Sequence, residues 1–152
     1  IIKEKRPKKV LDLYCGVGTI GISISNYVEE VHGIEIVEKA IESANKNKEL
    51  NKAKNISFTC GKVERIIDSS YKNYDLIIVD PPRSGIDKKA LEVINNSKTE
   101  SVIYVSCDPV TLARDIKELT NYELKEVELF NMFPRTYHVE TVSVLYRKTI
   151  EK

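Results

Sequence analysis

Short apolar runs alternate with longer amphipathic segments from one end of the chain to the other. Residues 10–14, 31–34, 56–60, 76–79 and 102–105 are brief runs carrying Val, Ile and Leu, as expected of strands buried on both faces of a parallel sheet. Between them the period lengthens. Over 37–50, Val37, Ala40, Ile41 and Ala44 recur at helical spacing among Lys, Glu and Asn; over 109–119, Leu112, Ala113, Ile116 and Leu119 predict one apolar helix face. The tail differs. Residues 124–130 and 142–146 read as strands, joined by 131–141 with no long helix, and predict an antiparallel pair at a sheet edge. The whole pattern is that of an α/β domain with a mostly parallel sheet built from βαβ units.

Several strand ends carry chemistry. Asp12-Leu13-Tyr14-Cys15-Gly16-Val17-Gly18-Thr19-Ile20-Gly21 runs from the first strand through a glycine turn that satisfies G-x-G-x-x-G and into a helix. Glu35 follows about 20 residues on, at the end of the second strand, where an acid can accept hydrogen bonds from ribose hydroxyls. A nucleoside-bearing cofactor fits this pattern, as does a tight turn without any ligand. Dinucleotides and S-adenosylmethionine share the geometry, and Asp12 favours the second because a carboxylate there can help hold a cation.

The fifth strand runs into Ser106-Cys107-Asp108-Pro109, where Asp108 can cap a helix whose first residue is Pro109. A helix N-terminus favours anions, so Cys107 is a candidate nucleophile at the carboxyl edge of the sheet; the bland alternative is a buried, inert cysteine. Asp80-Pro81-Pro82-Arg83 follows the fourth strand. Its prolines make a stiff loop that presents Asp80 and backbone carbonyls to a cleft and can hold a planar base, or merely connect strand to helix with Arg83 in solvent. His138 and Glu140 precede the last strand, and either could move a proton; a structural hydrogen bond suits His138 equally well.

Composition narrows the class. The 152 residues suit one domain, and 24 basic against 23 acidic residues give a net charge of +1, too little to form a global field for a polyanion. The three cysteines show no Cys-x-x-Cys pairing, which argues against a disulfide framework or a zinc site and for a reducing cytoplasm. No apolar stretch is long enough to span a bilayer. The lysine-rich start, from Lys3 to Lys9, reads as a solvated linker end. Opening without Met, the chain is expected to be a piece of a longer polypeptide.

Taken together, Asp-Leu-Tyr-Cys-Gly-Val-Gly, Asp-Pro-Pro-Arg, Ser-Cys-Asp-Pro and Met-Phe-Pro-Arg-Thr-Tyr-His-Val-Glu resemble the S-adenosylmethionine-dependent RNA uracil-5-methyltransferases. The resemblance implies a Rossmann-like methyltransferase fold, a mostly parallel seven-stranded sheet with an antiparallel C-terminal edge pair. By that resemblance Cys107 is the nucleophile and Glu140 the base that removes the carbon 5 proton. Asp80 contacts both uracil and cofactor, with Arg83 and His138 as further substrate-side candidates. Tyr14, Gly16, Gly18, Thr19 and Glu35 line the S-adenosylmethionine site beside Asp12. Residues 1–152 are then the catalytic domain, and the family's N-terminal RNA-binding regions lie outside this chain. A cytoplasmic monomer acting on ribosomal RNA, in preference to transfer RNA, is the expectation, with no metal and no membrane partner. The chain departs from the family pattern at Asp108 for asparagine, at Arg135 for histidine or glutamine, and at Lys62 for an acid or amide near the adenosine. An exocyclic amino-group methyltransferase, or a non-catalytic module binding cofactor or RNA, are the rival readings.

Overall fold

The computed structural model describes residues 1–67, 73–132 and 139–149. Its strands are β1 (Lys9–Leu13), β2 (Glu30–Glu35), β3 (Ile56–Cys60), β4 (Leu76–Val79), β5 (Ser101–Ser106), β6 (Tyr122–Phe130) and β7 (Glu140–Arg147). They form one seven-stranded sheet in the order β3-β2-β1-β4-β5-β7-β6. The strands β1 to β5 are parallel, while β7 runs antiparallel to β5 and β6 antiparallel to β7. Every expected strand is present with its ends within two residues of expectation, and the C-terminal pair is antiparallel as the tail predicted.

The helices are α1 (Ile2–Lys5), α2 (Thr19–Ile24), α3 (Glu38–Leu50), α4 (Val63–Ile66), α5 (Lys88–Asn96) and α6 (Pro109–Glu118). Alternation along the buried strands divides the core between the two faces. Leu11, Leu13, Ile77, Val79, Val102 and Tyr104 face α4, α5 and α6, whereas Val10, Val31, Leu76, Ile78 and Ile103 face the side carrying α1 and α2. Strand order reverses between β1 and β4, and in such sheets ligands bind at the carboxyl ends of the strands flanking that point.

Three local expectations are corrected. Val37 is not on the buried face of α3: it is the cap residue and 52% exposed, while Ile41 and Ala44 carry the burial. On α6 the buried positions are Leu112 and Asp115, followed by Leu119 at the C-cap, with Ala113 turned outward; Asp115 takes the inner position because hydrogen-bond donors meet it there. The start is solvated at Lys3–Arg6, Lys8 and Lys9, as expected, but it is folded onto the domain and is not a bare linker end. Ile1 and Ile2 pack on the sheet, Pro7 is buried, and Lys3 and Lys5 lie over the rings of Tyr27 and Tyr146 at 5.1 and 5.0 Å.

The close approach of α2 to the sheet depends on Gly21, where an added Cβ would fall 2.8 Å from Ile56 Cδ1 and 3.0 Å from Asp12 Oδ2. Gly21→Val overpacks this contact and is expected to destabilise the domain by about 1–3 kcal/mol in urea denaturation. An unchanged midpoint and slope would contradict this packing.

Candidate active site

Each strand end at the carboxyl edge delivers its residue through a definable local cause. Gly16 and Gly18 have φ of +54° and +81°, which turns the chain from β1 back onto the sheet, and the Gly18 N–H donates to the Cys15 carbonyl at 2.9 Å. Glu35, at the end of β2, clamps this turn: Oε2 accepts from the Gly16 N–H at 3.0 Å and Oε1 from the Val37 N–H at 2.9 Å. Each oxygen keeps a second lone pair for a hydroxyl.

Asp12 lies beneath the turn, fully buried. Its Oδ2 accepts from the Gly21 N–H at 3.1 Å, which satisfies a first-turn donor of α2 that Gly18, lacking a side-chain cap, leaves open. Oδ1 has no hydrogen-bond partner among the described residues. Burial pushes this carboxyl from the ordinary 3.8 up to about 7, opposed by the Gly21 N–H and reinforced by the charge of Asp80. Asp80 itself stands at the end of β4, its N–H donating to Leu13 O at 3.3 Å. Burial on its cleft side, then the Glu140 charge, hold its carboxyl above the usual range.

The β5–β7 register places the other two groups. Pairing runs from Ser101↔Tyr146 to Ser106↔Thr141, with Thr141 Oγ1 donating to Ser106 O at 3.0 Å. Cys107 follows Ser106 at a bend just past this ladder, and Glu140 precedes Thr141 at the same end; both side chains are half-buried. Asp108 caps α6 as expected, accepting from the Val110 and Thr111 N–H groups at 2.9 and 3.1 Å. Those bonds, led by Thr111, lower its carboxyl pKa, and the Arg83 charge adds to the effect. Aspartate caps as well as asparagine does, which accounts for this departure.

A cleft of about 1230 Å³ opens at the carboxyl ends of β1 to β4, lined by Tyr14, Glu35 and Asp80 among the expected residues; Asp12, Arg83, Cys107 and Glu140 are not among its lining residues. Tyr14, at φ +62°, is half-buried, and burial pushes its phenol up to about 12. Lys62 also lines the cleft and lies 3.9 Å from Glu64. Of the remaining candidates, Gly18 is buried against Phe58 and Thr19 is exposed at the start of α2. Arg135 and His138 lie outside the described residues. Sequence reasoning missed Ile36 and Val37, apolar side chains 52% exposed on the cleft wall, although two solvated hydrophobes directly after an acid at a strand end are a signal of a ligand surface. It also missed Arg114, whose position on α6 gave no hint of the cleft.

The sheet order and the cleft at its switch point define a Rossmann-like methyltransferase fold. The family model for tRNA (uracil-5-)-methyltransferase matches residues 1–148, and the chain belongs to that family. An uncharacterized RNA methyltransferase of Listeria innocua is 47% identical over 144 residues, covering 91% of this chain and 32% of that protein. One of Clostridium tetani is 44% identical, covering 97% and 33%. Among solved structures, the Pyrococcus abyssi tRNA (uracil-54, C5)-methyltransferase in complex with S-adenosyl-L-homocysteine superposes with a TM-score of 0.83 at 40% identity, covering 91% of this chain and 34% of its own. The N-methyltransferase NodS of Bradyrhizobium japonicum, at 13% identity and a TM-score of 0.79, shares the fold. This chain thus spans about a third of the length of the curated relatives it matches.

The raised pKa of Asp12 has a consequence for stability. Below pH 3.8 the carboxyl is protonated folded or unfolded; between 3.8 and about 7 only the unfolded chain loses the proton, so stability falls as pH rises, and above 7 the loss is complete. Asp12→Asn is therefore expected to match the wild type near pH 4 and to exceed it at pH 8, by a margin on the order of 4 kcal/mol at most. Denaturation curves that stay parallel across this range would contradict the burial of an ionisable Asp12.

Proposed function

We propose that this chain is the catalytic domain of an S-adenosylmethionine-dependent enzyme that methylates carbon 5 of a uridine in RNA. The observation that carries the reading is the β5–β7 register, which brings Cys107 and Glu140, 33 positions apart in sequence, to one end of adjacent strands. An amino-group methyltransferase has no use for a thiol paired with a carboxylate, and a non-catalytic module has no use for either.

The residues present fit the cofactor. Glu35 offers free lone pairs to ribose hydroxyls, and Ile36 and Val37 offer an apolar surface for a base, while Asp12, fully buried, holds the first turn of α2 from beneath. Bound S-adenosylmethionine supplies an electrophilic methyl group. The chain's own residues must make carbon 5 of uracil nucleophilic. The Cys107 thiolate adds to carbon 6, and the electron pair of the 5,6 double bond moves toward the carbon 4 carbonyl as an enolate. Asp80 orients the ring. Once carbon 5 has been alkylated, Glu140 takes its proton and the electron pair reforms the double bond, expelling the thiolate. The net +1 charge of this chain gives it little affinity of its own for a polyanion, so RNA is held mainly by the parts of the protein beyond it. The sequence favoured ribosomal RNA; the family description and the Pyrococcus abyssi relative both concern tRNA, so both RNAs belong in the test.

In the full-length protein, with S-adenosylmethionine and either tRNA or rRNA transcript, Cys107→Ala should form no covalent protein–RNA species. Glu140→Gln should accumulate one on denaturing gels, because removing the base slows release by about 10²- to 10⁴-fold. The double variant should form none. An adduct that survives loss of Cys107, or undiminished turnover in either single variant, would sink the mechanism.

A further inference from the structure

The carboxylate on the buried face of α6 bonds to neither Cys107 nor Glu140, yet both its oxygens are filled by donors from three segments of the chain. Asp115 Oδ2 accepts from the Tyr104 hydroxyl at 2.7 Å and from the Ile86 N–H at 2.7 Å. Oδ1 accepts from Arg114 Nε at 2.9 Å and Nη2 at 2.6 Å. The same Nη2 donates to the Ser84 carbonyl at 2.8 Å. Between Ser84 and Ile86 lies Gly85, at φ +80°, where any Cβ would collide with Arg114 Nη2 and Asp115 Oδ2. The backbone thus rests directly on the ion pair.

These bonds join the segments that carry the reacting groups. Ser84, Gly85 and Ile86 end the loop that begins at Asp80, and its two prolines make the intervening stretch stiff. A turn closed by the Gly85 N–H on the Pro82 carbonyl at 2.8 Å stiffens it further. Tyr104 is on β5, three residues before Cys107, and Asp115 is on the helix that Asp108 starts directly after Cys107. A buried ion pair contributes little to stability compared with apolar packing of similar volume. Its use here is registration.

We propose that Asp115 and Arg114 are positioning residues that fix the Asp80–Arg83 loop relative to Cys107, so that a base held by the loop meets the thiolate in line for addition. The proposal rests on the uracil-5 reading. It makes Gly85 obligatory and gives Arg114 a role its half-exposed side chain does not suggest.

The test uses the full-length protein with Arg114→Ala, Arg114→Lys, Asp115→Asn and Tyr104→Phe. Two readouts are taken: hydrogen–deuterium exchange of the 80–87 peptide, and kcat and KM for methyl transfer to bulk tRNA and rRNA from cells lacking the enzyme. Arg114→Ala and Asp115→Asn should speed exchange at Ile86 and lower kcat about 10²-fold, the scale of a misplacement near 1 Å, with KM for RNA within about threefold of wild type. Arg114→Lys should restore thermal stability but not kcat, since lysine lacks the fork that reaches both Asp115 and Ser84. Should Asp115→Asn fail to fold, the Arg114 and Tyr104 variants decide. Faster exchange with kcat unchanged would overturn the proposal, as would full recovery of kcat by lysine or a kcat loss that only tracks the folded fraction. A wild type that methylates a base other than uridine would instead defeat the uracil reading, and the positioning role would then be judged on that product. Transfer to no RNA at all would defeat both.

Discussion

The antiparallel pairing of β7 with β5 is the constraint on which the candidate site depends. A purely parallel sheet could bring to its carboxyl edge only residues that follow a strand, each leading into a loop and a helix. Inserting β7 between β5 and β6 in the opposite direction places the start of a strand at that same edge, so Glu140 begins β7 at the end where Cys107 follows β5. The register pairs Val102 with Leu145 and Ile103 with Val144, all four buried. The hydrogen bond from Thr141 to Ser106 closes the ladder one step before the pair.

Two buried aspartates show how one side-chain type serves different ends. Asp115 has its acceptor capacity filled by donors from β5, α6 and the Asp80 loop, and behaves as a node joining three segments. Asp12 caps α2 with one oxygen, the other has no hydrogen-bond partner among the described residues, and burial raises its pKa. A buried acceptor left open is unfavourable in the isolated fold. The two carboxylates lie on opposite faces of the sheet, α2 over one and α6 beside the other, so that the turn and the loop are held independently.

Much of this was legible in the sequence because each signal was local. Strand runs, the glycine turn, Glu35 at its interval and the Asp108–Pro109 cap depend on neighbours a few residues away, and all are found where the pattern set them. What escaped was decided at long range. Periodicity assigned Ala113 to the core and left Asp115 outside, since nothing in α6 announces that Tyr104 and Ile86 supply donors to the inner position. Val37 read as the first core residue of α3 but is a cap on the cleft wall, and Ile1 and Ile2 were hidden by the lysines around them. Cys107 and Glu140 were singled out by resemblance, and that they fall at one end of adjacent strands follows from a register that no single segment encodes.

That register is open to one direct measurement. Opposed residues of an antiparallel pair, such as Ser106 and Thr141, have Cα atoms about 4.5–5.5 Å apart, and Cys107 and Glu140 flank that pair within reach of a disulfide. In a Cys60→Ser background, which removes the exposed thiol, Glu140→Cys should cross-link to Cys107 under mild oxidation, and peptide mapping without reductant should recover residues 107 and 140 as one linked species. The neighbouring Val139→Cys, one residue out of register, should link poorly. No cross-link from position 140, or an equal yield from 139, would contradict the pairing on which the site is built.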